Sequence, residues 1–196
     1  MAELTLDKNR TVVLAADFHN EGMGSNPMVQ ERQTFDRAQE VLAAARNAGA
    51  LVAYIVVHFR PGYPEISDRN QTFSQRKSSG QVPPANPVSL IHPSVLPREG
   101  EPVIVKHRVN AFYGTDLAMI LGAHNIDTLV LMGHATSGVI LSTVRYGADA
   151  DYRLVVVEDG CADPDPEVHD FLMQRVFPRQ ATIASAAEVV AALAAG

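Results

Sequence analysis

Three short stretches of this chain carry residue types that could do chemistry together. TVVLAADF (11–18) ends its apolar run at Asp17, and PVIVKHR (102–108) ends its run at Lys106. The third, LVLMGHATSGVILSTVR (129–145), reads as a buried strand entering a tight turn and then a helix, with Val139 on the turn. Open α/β sheets bind ligands beyond the carboxyl ends of their strands, so three strands that each end in a polar or turn residue describe a site. A carboxylate and an ammonium facing a strand-to-helix turn is an arrangement suited to hydrolysis: a proton acceptor, a fixed positive charge and backbone N–H groups.

The elements that must position these residues alternate along the chain, which predicts a three-layer α/β/α domain with a mostly parallel sheet of about six strands, spanning 1–196 as a single domain. Strands are expected near 11–17, 51–57, 102–106, 127–132, 153–157 and 180–184. LVAYIVVH (51–58) and RLVVVED (153–159) are β-branched runs of the kind buried on both faces. Helices are expected over 28–48, 115–123, 137–149, 165–177 and 186–194. In the first, Phe35, Ala38, Val41, Leu42 and Ala45 recur at helical spacing and Gly49 supplies the stop. Thr115, and Asp165 with Pro166 and Glu167, are helix-start signals. Residues 59–101 break the rhythm with prolines at 61, 64, 83, 84, 87, 93 and 97. A connection this long in a compact domain is expected either to cover the site as a lid or to form a subunit contact.

Composition narrows the function. A formal charge of −6 with 46% hydrophobic residues argues against nucleic-acid and anionic-membrane partners. No apolar run is long enough to span a membrane, and MAELTLDKNR lacks the apolar core of a signal peptide, so a cytoplasmic location is expected. The single cysteine, Cys161, excludes an internal disulfide; a small buried residue is its default role. No glycine-rich phosphate loop follows the first strand, so no dinucleotide is expected. His92, His107, His124 and His169 are scattered singly, so neither a metal nor another cofactor is expected. Arg60, just after the second strand, is a candidate for gripping a substrate carboxylate.

Taken together, AADFHN (15–20), VIVKHRVNAFYGTDL (103–117) and GHATSGVILST (133–143) resemble the signatures of the isochorismatase-like hydrolases, the cysteine hydrolase superfamily. The likeness runs from the first strand to VFPRQATI (176–183), with His19 where glutamine is usual and Asn110 where serine is usual. By that resemblance Asp17 and Lys106 are the catalytic pair. Counting from Thr136 and Thr143 puts the nucleophilic cysteine's position on Val139, which cannot attack a carbonyl. The resemblance also implies a non-proline cis peptide at His134–Ala135. Substrate contacts are expected from His19, Arg60, Phe112, Tyr113, Ala135, Thr136 and Ser137. The implied function is a hydrolase of a small polar metabolite, homo-oligomeric, working by non-covalent acid/base chemistry through Asp17 and Lys106. The alternative is a catalytically silent member that binds a small molecule or serves as an oligomeric scaffold.

Overall fold

In the computed structural model, which describes residues 4–196, the strands β1 (Thr11–Ala16), β2 (Leu51–Val57), β3 (Val103–Lys106), β4 (Thr128–His134), β5 (Arg153–Ala162) and β6 (Thr182–Ala184) form one sheet. All pairings are parallel and the order is β3-β2-β1-β4-β5-β6. Met1–Glu3, part of the stretch read for targeting, lie outside the described residues. Every residue of β1 is buried, as a central strand covered on both faces requires. Among the described residues, no helix is long and apolar enough to cross a membrane.

The helices are α1 (Asn20–Met23), α2 (Pro27–Glu31), α3 (Thr34–Ala48), α4 (Ser74–Ser78), α5 (Leu117–Ala123), α6 (Leu141–Asp149), α7 (Pro166–Phe171) and α8 (Ala186–Ala195). α3 buries Ala38, Val41, Leu42 and Ala45, a stripe at i, i+3, i+4 and i+7, and packs with α8 on one side of the sheet. The β4-to-β5 crossover runs laterally opposite to the β1-to-β2 crossover. Right-handed connections therefore send α6 to the other face, where Gly147 lies against Leu129 and Leu154. Gly49 ends α3 in the left-handed region, its N–H reaching the carbonyls of Ala45 and Arg46. Ser185 and Glu188 cap each other's backbone N–H at the start of α8.

Four boundaries differ from expectation. The helix expected over 28–48 is two helices, because Gln33 adopts φ 54° and breaks the ladder. The 137–149 helix begins with a wide π-type turn over Thr136–Ile140, and the 165–177 helix ends in one over Leu172–Val176. β5 does not stop at 157. Its pairing with β4 jumps from Leu131–Val156 to Gly133–Cys161, so the chain bulges out between them and resumes the sheet through Ala162. The excursion carries Asp159 to the first N–H of α8 (2.7 Å) and Glu158 toward Arg32. Continuous apolar character ends at Val157, so no sequence period announces the resumption.

The order reverses between β1 and β4, and sheets of this kind bind ligands beyond the carboxyl ends of the strands at such a switch point. Register aligns that edge: Lys106 pairs with Val57, Ala16 with Ile55 and Gly133, and His134 with Ala162. Gly133 permits the closest approach, with φ 141° and an ideal Cβ position only 1.9 Å from the Ala16 carbonyl oxygen. Gly133→Ala should therefore lower unfolding free energy by about 3 kcal/mol or more. Urea denaturation checks this; a wild-type midpoint would mean that β1 and β4 can separate without cost.

Candidate active site

Asp17 follows β1 directly and sits at φ 51°, a left-handed conformation that turns the chain at the edge of the sheet. Lys106 ends β3, two strands away. The register brings their side chains together: Lys106 Nζ lies 2.7 Å from Asp17 Oδ2, with the two side chains 2% and 10% exposed. The remaining valences are met from the backbone. Val57 N–H donates to Asp17 Oδ1 (2.8 Å), and Lys106 Nζ donates to the Arg108 carbonyl (3.1 Å). Both charges are thus paired and hydrogen-bonded, the condition under which burial is tolerable. His19 stands beside them, its Nε2 3.5 Å from Asp17 Oδ1. Burial depresses the His19 pKa, opposed by Asp17 and assisted by Lys106, Arg76 and His134.

The third stretch forms the far wall. The His134–Ala135 peptide is cis. The Ala135 carbonyl accepts from Gly138 N–H (3.0 Å) and Ile140 N–H (3.4 Å), while Ser137 N–H donates to Asp163 Oδ2 (2.7 Å). The N–H groups of Ser137, Gly138 and Ile140 are therefore committed within the protein. Val139 is 3% exposed at the turn. Thr136 is buried, its hydroxyl 2.8 Å from Nδ1 of His169 on α7.

The other expected contacts divide. His19, Ala135, Thr136 and Ser137 gather around this edge. Phe112 instead packs in the core, stacked 4.5 Å from Tyr146 and near Tyr152, while Tyr113 is 68% exposed. Asn110 fixes this turn by accepting from the N–H groups of both residues and donating to the Ser142 carbonyl. Arg60, expected as a carboxylate grip, is largely exposed and holds an ion pair with Glu65. Cys161 lies inside β5 with its thiol on the Leu131 carbonyl, and burial pushes its pKa up to about 12, so it stays a protonated core residue.

Residues 59–101 have a small core of their own, Phe59, Tyr63, Ile66 and Phe73 with Val57. The segment is tied to the site strand by an antiparallel bridge between His19 and Ile91 and by His92 N–H donating to the Phe18 carbonyl. It encloses a cavity of about 510 Å3 beside the end of β2, lined by Val57, Tyr63, Arg76 and Leu90 among others. The segment thus covers the carboxyl edge on the β2 side. A second cavity of about 530 Å3, near Leu51, Arg46 and Glu101, lies at the opposite end of the strands and touches none of this chemistry.

Sequence reasoning missed three polar residues here: Asn26, His134 and Asp163. Asn26 Nδ2 donates to the Asp163 carbonyl (2.9 Å) and lies 3.5 Å from His134 Nε2. Asn26 before Pro27 was a readable helix-start signal. His134 and Asp163 had none, because Asn26 and Ser137, the groups they meet, come from distant parts of the chain.

This strand order defines a doubly wound, all-parallel α/β architecture, and comparison gives the family. The Isochorismatase domain model matches residues 11–188, so the chain belongs to the isochorismatase family. It is 30% identical over 135 residues to a maleamate amidohydrolase from Pseudomonas putida, covering 69% of this chain and 62% of that relative. It is 31% identical over 162 residues to the isochorismatase family protein YecD of Escherichia coli O157:H7, covering 82% of this chain and 84% of that one. A cysteine hydrolase structure from Pseudomonas syringae superposes with a TM-score of 0.83 at 20% identity, over 100% of this chain and 99% of that chain. Its fold is therefore the same.

Two outcomes follow for stability. Lys106→Met should cost about 3 kcal/mol, because Asp17 is left charged without its partner; Asp17→Asn combined with Lys106→Met should recover most of that loss. Urea denaturation of the single and double variants measures it, and additive losses would contradict the pairing. His169 has no exposed surface, and burial lowers its pKa to about 4. Its folded pKa lies below the unfolded value, so its contribution is complete above about pH 6.5 and is lost as pH falls toward 4, by roughly 2–3 kcal/mol. His169→Gln should flatten the stability profile across that window in calorimetric scans.

Proposed function

We propose that this chain is a hydrolase of a small polar metabolite that works without a covalent enzyme intermediate. The observation carrying the reading is the buried Asp17–Lys106 pair at the carboxyl edge of the sheet, with a buried, apolar Val139 on the turn after β4. Amides of small acids are the first substrate class to test, because a relative bears the name maleamate amidohydrolase.

The chemistry follows from the atoms present. A substrate oxygen that takes up the Lys106 ammonium draws it from Asp17 Oδ2 and frees that oxygen to accept a proton. A water molecule then adds its oxygen to the substrate carbonyl carbon as Asp17 takes its proton. The tetrahedral adduct collapses by breaking the carbon–nitrogen bond, and Asp17 returns the proton to the leaving nitrogen. Lys106 balances the charge on the substrate oxygen throughout. Val139 supplies no nucleophile, and its branched side chain fills the space where a thiol would stand in the family's covalent route.

Asp17→Asn should cut turnover by roughly 100-fold or more while the protein stays folded. A panel of small amides, esters and vinyl ethers read by product formation checks this. No turnover anywhere in the panel would favour a silent small-molecule binder. Val139→Cys is the complementary variant: with the aspartate and lysine in place, it should gain amidase activity and become sensitive to iodoacetamide.

A further inference from the structure

His134 is a polar residue of this edge that the Asp17–Lys106 chemistry does not use. It ends β4 and pairs with Ala162, so it stands between the turn residues of two neighbouring strands, Asp17 after β1 and Asp163 after β5. Its side chain is only partly buried.

Asn26 constrains it. The Asn26 Oδ1 caps α2 by accepting from Met28 N–H (3.0 Å), and its Nδ2 donates to the Asp163 carbonyl (2.9 Å). Exchanging the amide oxygen and nitrogen would lose both bonds, so the network sets the orientation of the amide. The same Nδ2 faces His134 Nε2 at 3.5 Å. An amide NH2 has hydrogens to give and no lone pair to offer, so the ring nitrogen it faces is the unprotonated one. In a neutral imidazole the proton then sits on Nδ1. Burial favours the neutral ring by lowering the His134 pKa, against the opposing pull of Asp163 and Asp17, while His19 adds a second imidazole nearby. Among the described residues, the Asn26 contact at Nε2 is the one side-chain hydrogen bond this ring makes.

We propose that His134 is the substrate-orienting donor of this site, a neutral imidazole that Asn26 holds with its proton on Nδ1 and that N–H directed into the crevice beside Asp17. This rests on the reading of the Asp17–Lys106 edge as the reaction site. The fitting ligand group is a carbonyl or carboxylate oxygen, to which the ring donates as Lys106 supplies charge. The residue's role is orientation, while the proton transfers belong to Asp17.

The test uses the full chain with 15N-labelled histidine and long-range 1H–15N correlation at pH 7, the His134 signals being assigned by their loss in His134→Gln. A protonated Nδ1 and lone-pair Nε2 are expected. An Nε2–H ring, or an imidazolium, overturns the proposal. Asn26→Asp keeps an oxygen to cap Met28 but replaces the donor with an acceptor, so His134 should gain a proton on Nε2; an unchanged tautomer overturns the role of Asn26. Should that variant not fold, Asn26→Ser keeps a hydroxyl cap and should give a mixture of tautomers. Asp17→Asn should lower the His134 titration midpoint, and an unmoved midpoint would put the ring outside the crevice. These signals are read without substrate, so an inert protein in the amide panel would defeat the hydrolase reading alone. Where turnover is found, His134→Gln retains a donor and should keep most of it. His134→Leu should raise KM at least tenfold with a smaller change in kcat, and equal KM values for the two variants would count against orientation.

Discussion

Two opposite charges sit at the edge of this sheet almost without water, and much of the local structure is organised around keeping them there. An unpaired carboxylate or ammonium at that depth costs several kcal/mol, so Asp17 and Lys106 need each other and need further partners. The Val57 N–H and the Arg108 carbonyl are those partners, contributed by the end of β2 and the turn after β3. The pair thus joins three adjacent strands.

The other half of the crevice depends on a second constraint, the close passage of β4 beside β1. Gly133 allows it, and the chain leaves that passage through a cis peptide into the π-type turn carrying Val139. Asp163 then accepts from Ser137 N–H and Asp165 N–H, tying the turn to the end of β5. Asn26 links the same carbonyl-rich corner to the segment after β1. Polar groups on both sides of the switch point are therefore cross-braced, which suits a site whose parts come from distant positions in the chain.

Much of the fold is legible in the sequence. Continuous β-branched runs such as LVAYIVV gave buried parallel strands, and Gly49, Asp165–Pro166 and the apolar stripe of α3 marked helix limits correctly. Asp17 and Lys106 were visible because each ends an apolar strand within a recognisable motif. Less legible were the break at Gln33, which no proline or glycine announces, and the resumption of β5 after a polar excursion. Arg60 shows the limit most plainly. Its position just after β2 is right for a substrate grip, and only the structure shows that Glu65, five residues on, pairs with the guanidinium. Phe112 likewise looks like a pocket wall until the rings of Tyr146 and Tyr152 claim it.

What the sequence determined by itself is the alternation of elements, their burial and the residue types at the strand ends, since these follow from periodicity and from local backbone chemistry. Which strand ends become neighbours was decided by the tertiary structure. The order β3-β2-β1-β4-β5-β6 and its register place Lys106, Asp17, His134 and Asp163 along one edge, although Asp17 and Asp163 are far apart in the chain. The tautomer of His134, the capture of Arg60 and the burial of Cys161 belong to that level too. Each depends on which groups face one another across strands, and a hydrogen bond or a desolvation cost exists only once the partners are in place.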